Sequence, residues 1–284
     1  METIVQIFIN ALSMGLTYVL MALGLTLIFS IMGIVNFAHG EIYMIGAFAA
    51  FVFTVELGIN YFLSLFLTVL TVSVIGIIIE RGLFRKFRGA ELNGLVLAVA
   101  LSILLQNLAL IIFGGEDRSF SSPLQGSSLT IWSSAVSVER LVAMGVSMIS
   151  LVCLYLFINR TKTGQAMRAM AQDSEAAALQ GININYISAV SFGTGCALAA
   201  LAGGLLAPIY FVSPFIGGMP VLKAFIVVVL GGLGSIPGAL AGGLILGCID
   251  SIAAYYLGTI GDLFGFVLLM LFIIFKPTGL FGYE

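Results

Sequence analysis

Charge is scarce in this sequence. Only 8% of its 284 residues are charged, and the net charge is −2. A soluble domain carries about 25% charged residues. Between Thr3 and Ala38 there is no charged residue, and no basic tail suggests nucleic acid. Cysteines are few: Cys153, Cys196 and Cys248 each lie in an apolar run without metal-ligand spacing. They read as small packing residues, not as a disulfide or a metal site. The opening METIVQIF lacks the positive region of a secretory signal, so the first apolar run is expected to be retained. GxxxxGK[ST] occurs nowhere, which argues against ATP binding on this polypeptide.

What is present is apolar: 61% of the residues are hydrophobic. Uncharged stretches of 18 or more residues recur along the whole chain, long enough to cross a bilayer core of about 30 Å. The runs are continuous, unlike the alternating segments of a β-barrel. The expectation is an all-α, polytopic transmembrane helical bundle of about 8–9 spans with broken or re-entrant segments. A single transmembrane domain then covers 1–284. The spans are placed at roughly 4–32, 40–57, 60–79, 92–113, 140–158, 186–210, 219–233, 238–257 and 262–275. Thirty-four glycines exceed the soluble average of about 7% and suit closely packed or broken membrane helices.

Arg81, Arg85, Lys86 and Arg88 share one short loop, and Arg160, Lys162 and Arg168 another. The positive-inside rule makes both cytoplasmic. Two spans separate them, so 114–138, rich in Ser, Gly and Pro, becomes an external loop with Trp132 as an interfacial anchor. Counting outward puts the N-terminus outside and the C-terminus inside. Gly33/Gly40 and Gly231/Gly238 each interrupt an apolar run at a spacing of seven, with Gly234 inside the second. These glycines are the expected helix breaks, and the matched spacing suggests a tandem repeat of helical units.

The first break holds the polar residues Asn36, His39 and Glu41. Thirty-six uncharged residues would make a helix of about 54 Å, too long for one straight span, so the chain must bend before Ala38. The three side chains then either line a translocation path or its gate, or serve a cytoplasmic turn in which Asn36 caps the next helix and Glu41 favours its dipole. One histidine and one carboxylate are too few for a metal site. Lys223 and Asp250, on neighbouring spans at similar depth in the outer half, are expected to form an intramembrane ion pair, unless Lys223 snorkels to the interface.

The loop 159–185 is the most telling. Arg168, Gln172 and Glu175 fall on one face of a single helix. Asp173 is also a plausible N-cap, so two short helices meeting near Gln172 fit equally, with Gly181 ending the element. The string Glu175-Ala176-Ala177, with Gly181 four residues on, resembles the EAA motif of ABC importer permeases, the loop that docks on the ATP-hydrolysing subunit. The family's later Ile-x-Leu-Pro is missing here.

Two further stretches carry the likeness, and the three together cover most of the chain in the expected order. "GLTYVLMALGLTLIFSIMGIVNFAHGEIYMIGAF" (15–48) resembles the N-terminal signature of branched-chain amino-acid ABC permeases. "TGQAMRAMAQDSEAAALQGININ" is similar to their coupling loop, and "LKAFIVVVLGGLGSIPGALAGGLILG" (222–247) to their glycine-rich C-terminal segment. Many relatives carry glutamate near Asp250, a conservative departure.

The resemblance implies a Liv-type permease subunit of the bacterial inner membrane. It assigns Arg168, Asp173, Glu175, Ala176, Ala177 and Gly181 to the ATPase-coupling loop. It implies a second homologous permease, two ABC ATPase subunits holding ATP and Mg, and a periplasmic or lipid-anchored binding protein that delivers Leu, Ile or Val. The permease itself would be no enzyme and would carry no cofactor. Related machinery importing urea, short amides or other neutral amino acids stays open. So does an ion-coupled secondary transporter using Glu41, Lys223 and Asp250.

Overall fold

The structure, a computed structural model, describes residues 2–120, 122–131, 134–276 and 278–281. Trp132 lies outside them. Among the described residues nine apolar helices form a bundle: α1 (Glu2–Met32), α2 (His39–Phe51), α3 (Tyr61–Gly82), α4 (Glu91–Phe113), α5 (Val138–Arg160), α8 (Ile184–Leu206), α9 (Gly218–Gly231), α10 (Ile236–Leu257) and α11 (Asp262–Phe275). Two short helices, α6 (Lys162–Gln172) and α7 (Ser174–Leu179), connect α5 to α8. Six helices are long and apolar enough to cross a membrane; α9 and α11 are shorter. The all-α bundle matches the composition. The loop expected over 114–138 departs from it by folding back as an antiparallel hairpin, β1 (Ser128–Ile131) with β2 (Ser134–Ser137). One end of the bundle carries Arg81, Arg85, Lys86 and Arg88 (the basic end), and the other carries this hairpin (the hairpin end).

α1, α2 and α8 form the buried centre, while α3, α4, α5 and α11 turn large apolar side chains outward. Small residues let the central backbones approach, as expected where van der Waals contact drives helix association in lipid. A Cβ placed on Gly46 of α2 would fall 2.6 Å from the Ala200 carbonyl oxygen of α8. Gly46→Val is therefore expected to force the two central helices apart, at a cost of roughly 1–3 kcal/mol or more. Gly145→Ala, where the space is open, should be neutral or slightly stabilising. Thermal midpoints of the two purified variants in detergent check this pair.

α1 ends because Gly33 adopts φ +65°, and its N–H still donates to the Phe29 carbonyl at 2.8 Å. The chain then turns back along the bundle. Gly33 faces Glu91 and Ile34 packs on Gly94, both in the first turn of α4 at the basic end. Phe37 stacks on Phe225 of α9 at 4.8 Å. Glu41 then meets Ser102, eleven residues from either end of α4. The polar residues 39–41 thus lie half-way along the bundle, not at a surface turn. Gly40 is correspondingly not the break: it sits in the first turn of α2, packed on Gly217 at the start of α9.

α9 starts at that same mid-depth. After α8, Val212 pairs with Arg118 through two backbone bonds of 2.7 and 2.9 Å at the hairpin end, and the chain re-enters as far as Gly217. At the basic end the break falls at Gly232 and Gly234, with φ +99° and +86°. Gly231 is the last helical residue of α9 and Gly238 lies in the first turn of α10; the two pack on each other. The paired glycine spacing therefore conceals two constructions, a tight hairpin here and a six-residue climb after Gly33. Leu280 and Phe281 donate their N–H groups to the carbonyls of Leu230 and Gly231, at 2.8 and 3.0 Å, closing the end of α9.

Candidate functional site

Three places carry polar chemistry. The first is a cavity of about 760 Å³ running from the hairpin end to mid-depth. Asp117 and Arg140 stand at its rim, where Arg140 donates to Asn10 of α1 at 2.6 Å. Met14, Leu206, Ile216 and Met219 supply apolar wall, and Tyr18, Tyr43 and Lys223 stand at its deep end.

A charged knot closes that deep end. Lys223 Nζ donates to Asp250 Oδ2 at 2.7 Å, and the Tyr18 hydroxyl donates to the same oxygen at 2.9 Å. Lys223 also donates to the main-chain carbonyl of Asp262 at 3.3 Å, and the Asp262 carboxylate is 3.5 Å away. Four helices meet there. The side chains of Lys223 and Asp250 are 4% and 1% exposed, that of Asp262 is 51% exposed. The sequence spacing put Lys223 near the outer end of its span; because α9 begins at mid-depth, the pair lies deeper. A buried charge persists only with partners, and here each charge has one.

The second place is the start of α2. Asn36 Oδ1 accepts from Ala38 N at 3.1 Å, a local turn bond. His39 Nε2 donates to the Met21 carbonyl at 3.2 Å, and Glu41 Oε1 accepts from Ser102 at 3.0 Å. The three side chains therefore diverge, toward the turn, α1 and α4. All are buried, and none lines the cavity; Tyr43, one turn further along α2, does. One polar atom of each has no partner among the described residues.

The third is the connector at the basic end. Of the two alternatives, the chain adopts two helices. Asp173 caps α7, accepting from Glu175 N and Ala176 N at 2.9 Å each. Gly181, at φ +82°, ends the element, and Asn183 caps α8. Arg168 bonds Asn159 at 3.1 Å. Met167, Met170 and Ala177 face the bundle, while Arg168, Asp173, Glu175, Ala176, Gly181 and Leu179 are exposed. A leucine 87% exposed beside a carboxylate makes this a surface of mixed character.

Sequence reasoning missed several groups. Glu80 is buried at the end of α3 between Arg85 and Arg88, at 2.9 and 2.8 Å. The two arginines also reach Asn185 at the start of α8. They brace the helix that follows the connector instead of lying free in a loop. A lone acid just before a basic run was the available signal. Tyr18, Arg140 and Asp262 gave none, because their partners are more than 30 residues away in the chain; Tyr43 read as one more apolar-run residue.

Similarity to known proteins is extensive. Residues 7–275 match the family described as "Branched-chain amino acid transport system / permease component". The chain is 37% identical to the high-affinity branched-chain amino acid transport system permease protein LivH of Salmonella typhimurium, over 98% of this chain and 95% of that protein. It is 38% identical to the corresponding permease protein BraD of Pseudomonas aeruginosa over the same shares. Among solved structures, PsaBC from Streptococcus pneumoniae in complex with Fab is similar in fold, with a TM-score of 0.53 at 13% identity over 96% of this chain and 92% of that one.

Proposed function

We propose, since this chain belongs to the branched-chain amino acid transport system permease family, that it forms half of the path by which an ATP-driven importer takes up leucine, isoleucine and valine. The observation that carries the reading is full-length similarity at 37–38% identity to permeases named for that transport. The geometry supports it: a mid-depth cavity is rimmed by the hairpin end, and an exposed helical connector projects from the basic end.

The basic end is cytoplasmic by its charge, which places the cavity on the outer side of the bacterial inner membrane and α7 inside. A binding protein delivers substrate to the hairpin end, and a second, homologous permease completes the path. Two ATPase subunits hold ATP and Mg and dock at Glu175, Ala176 and Leu179. ATP binding draws the ATPases together, and α6–α7 pass that motion to α8, which the Glu80–Arg85–Arg88 brace ties to α3. The cavity then closes outside and opens inside. This chain supplies the path and no hydrolytic step.

The test is reconstitution. The chain, extracted from its native membrane, should copurify with P-loop ATPases and a second permease, and proteoliposomes of that complex should import leucine only with ATP and binding protein. Uptake by this chain alone, collapsed by an uncoupler, overturns the reading in favour of a secondary transporter. Import of urea but not leucine overturns the substrate assignment.

A further inference from the structure

The floor of the cavity carries two opposite charges side by side, and they are not equally satisfied. Lys223 has three N–H donors. One goes to Asp250 and one to the Asp262 carbonyl, while among the described residues the third has only the Asp262 carboxylate, at 3.5 Å, beyond good hydrogen-bond length. Asp250 lies behind the wall, whereas Lys223 and Asp262 both line the cavity. Asp262, about half exposed, keeps acceptors free. Lys223 is held in place by Asp250, which Tyr18 holds in turn, so little ordering is needed when a ligand arrives.

We propose that Lys223 and Asp262 form a head-group clamp for a zwitterionic α-amino acid, within the path proposed above. The ligand carboxylate takes the third proton of Lys223, and the ligand ammonium takes the Asp262 carboxylate. The loose Lys223–Asp262 contact is thereby exchanged for two close charge-assisted bonds, the stronger class. Ammonium and carboxylate on one carbon match adjacent charges; an ion of one sign satisfies one partner and repels the other. A neutral amide leaves both charges unanswered. Met14, Leu206, Ile216 and Met219 surround the remaining space with apolar surface, suited to an uncharged side chain. The permease therefore checks the head group itself, after the binding protein has released it.

The experiment measures radiolabelled L-leucine binding to the assembled permease–ATPase complex in nanodiscs, without ATP and without binding protein. Saturable binding is expected, displaced by valine but not by leucinamide, which lacks the carboxylate, nor by 4-methyl-2-oxopentanoate, which lacks the ammonium. Asp262→Asn should weaken binding by about tenfold or more, the range for a lost charged hydrogen bond. Asp262→Glu should stay within about threefold of the parent. The melting temperature of the complex should be the same in both variants, since Asp262 is half exposed, so a merely structural role would leave the Asn and Glu variants alike in binding. Equal competition by leucinamide, or unchanged binding in Asp262→Asn, overturns the clamp. So does absence of leucine binding in a complex that imports leucine with its binding protein, a result that leaves the importer reading intact. A complex that imports and binds urea instead overturns both.

Discussion

Replacing Lys223 with methionine is expected to destabilise the protein by roughly 3–5 kcal/mol, the cost of stranding one member of a buried ion pair. The carboxylate of Asp250 would be left with Tyr18 alone, one oxygen already being unpartnered among the described residues. Asp250→Asn should cost less, because Lys223 keeps the Asp262 carboxylate and carbonyl within reach. The double change Lys223→Met, Asp250→Leu should recover most of the loss, since apolar residues of similar size often replace a buried pair without penalty. Thermal midpoints and folded yield in detergent give the order: Met alone lowest, Asn intermediate, the pair near the parent. Unchanged midpoints in all three would mean that the charges are solvated and the knot carries no energy. The recovered double variant should still fail to bind leucine, which separates the fold's need for Lys223 from the ligand's.

Charge reversal at Glu175 is expected to leave the protein inserted and folded while lowering ATP-driven uptake by at least about tenfold, because like charges across an interface cost several kcal/mol. Glu175 is exposed in the first turn of α7 and makes no side-chain bond among the described residues, so none of the described contacts depends on it. Gly181→Val should act on the same connector by a different cause, since a β-branched residue strains at φ +82°. ATP hydrolysis and uptake, measured together in proteoliposomes, check this. Unchanged transport in both variants would remove the docking role from α7.

Much of the architecture was legible because lipid-spanning helices need long uninterrupted apolar runs. Each of the nine sequence spans overlaps a helix, and the placement of α9 as an apolar run survived its shortness. The Asp173 cap and the Gly181 stop followed from local chemistry, as did the bend before Ala38. Depth was not legible. Nothing in "GIVNFAHG" says that six residues climb half the bundle, because that path is set by Phe37 on Phe225 and Ile34 on Gly94. Gly40, Gly231 and Gly238 read as breaks because glycine interrupts helices; here they let backbones touch. The cavity was legible only in part: Gln6, Asn10, Ser13 and Thr17 form a polar stripe on one face of α1, but its charged groups, Asp117, Arg140, Lys223 and Asp262, come singly from four distant segments. The conspicuous cluster at 36–41 instead turns its side chains away from that space.

The bond between Leu280 and Leu230 bears on how the protein is made. At 14 residues, about 21 Å, α9 is too short to settle across a bilayer unaided, and its last carbonyls find their donors only in residues made fifty positions later. α9 is therefore expected to reach its final seat only once α10, α11 and residues 280–281 have been made. A ribosome halted before residue 280 would leave the last carbonyls of α9 without these donors. A chain lacking residues 280–281 is therefore expected to insert its long spans yet leave the end of α9 open, and so to be cut by proteases more readily than the parent.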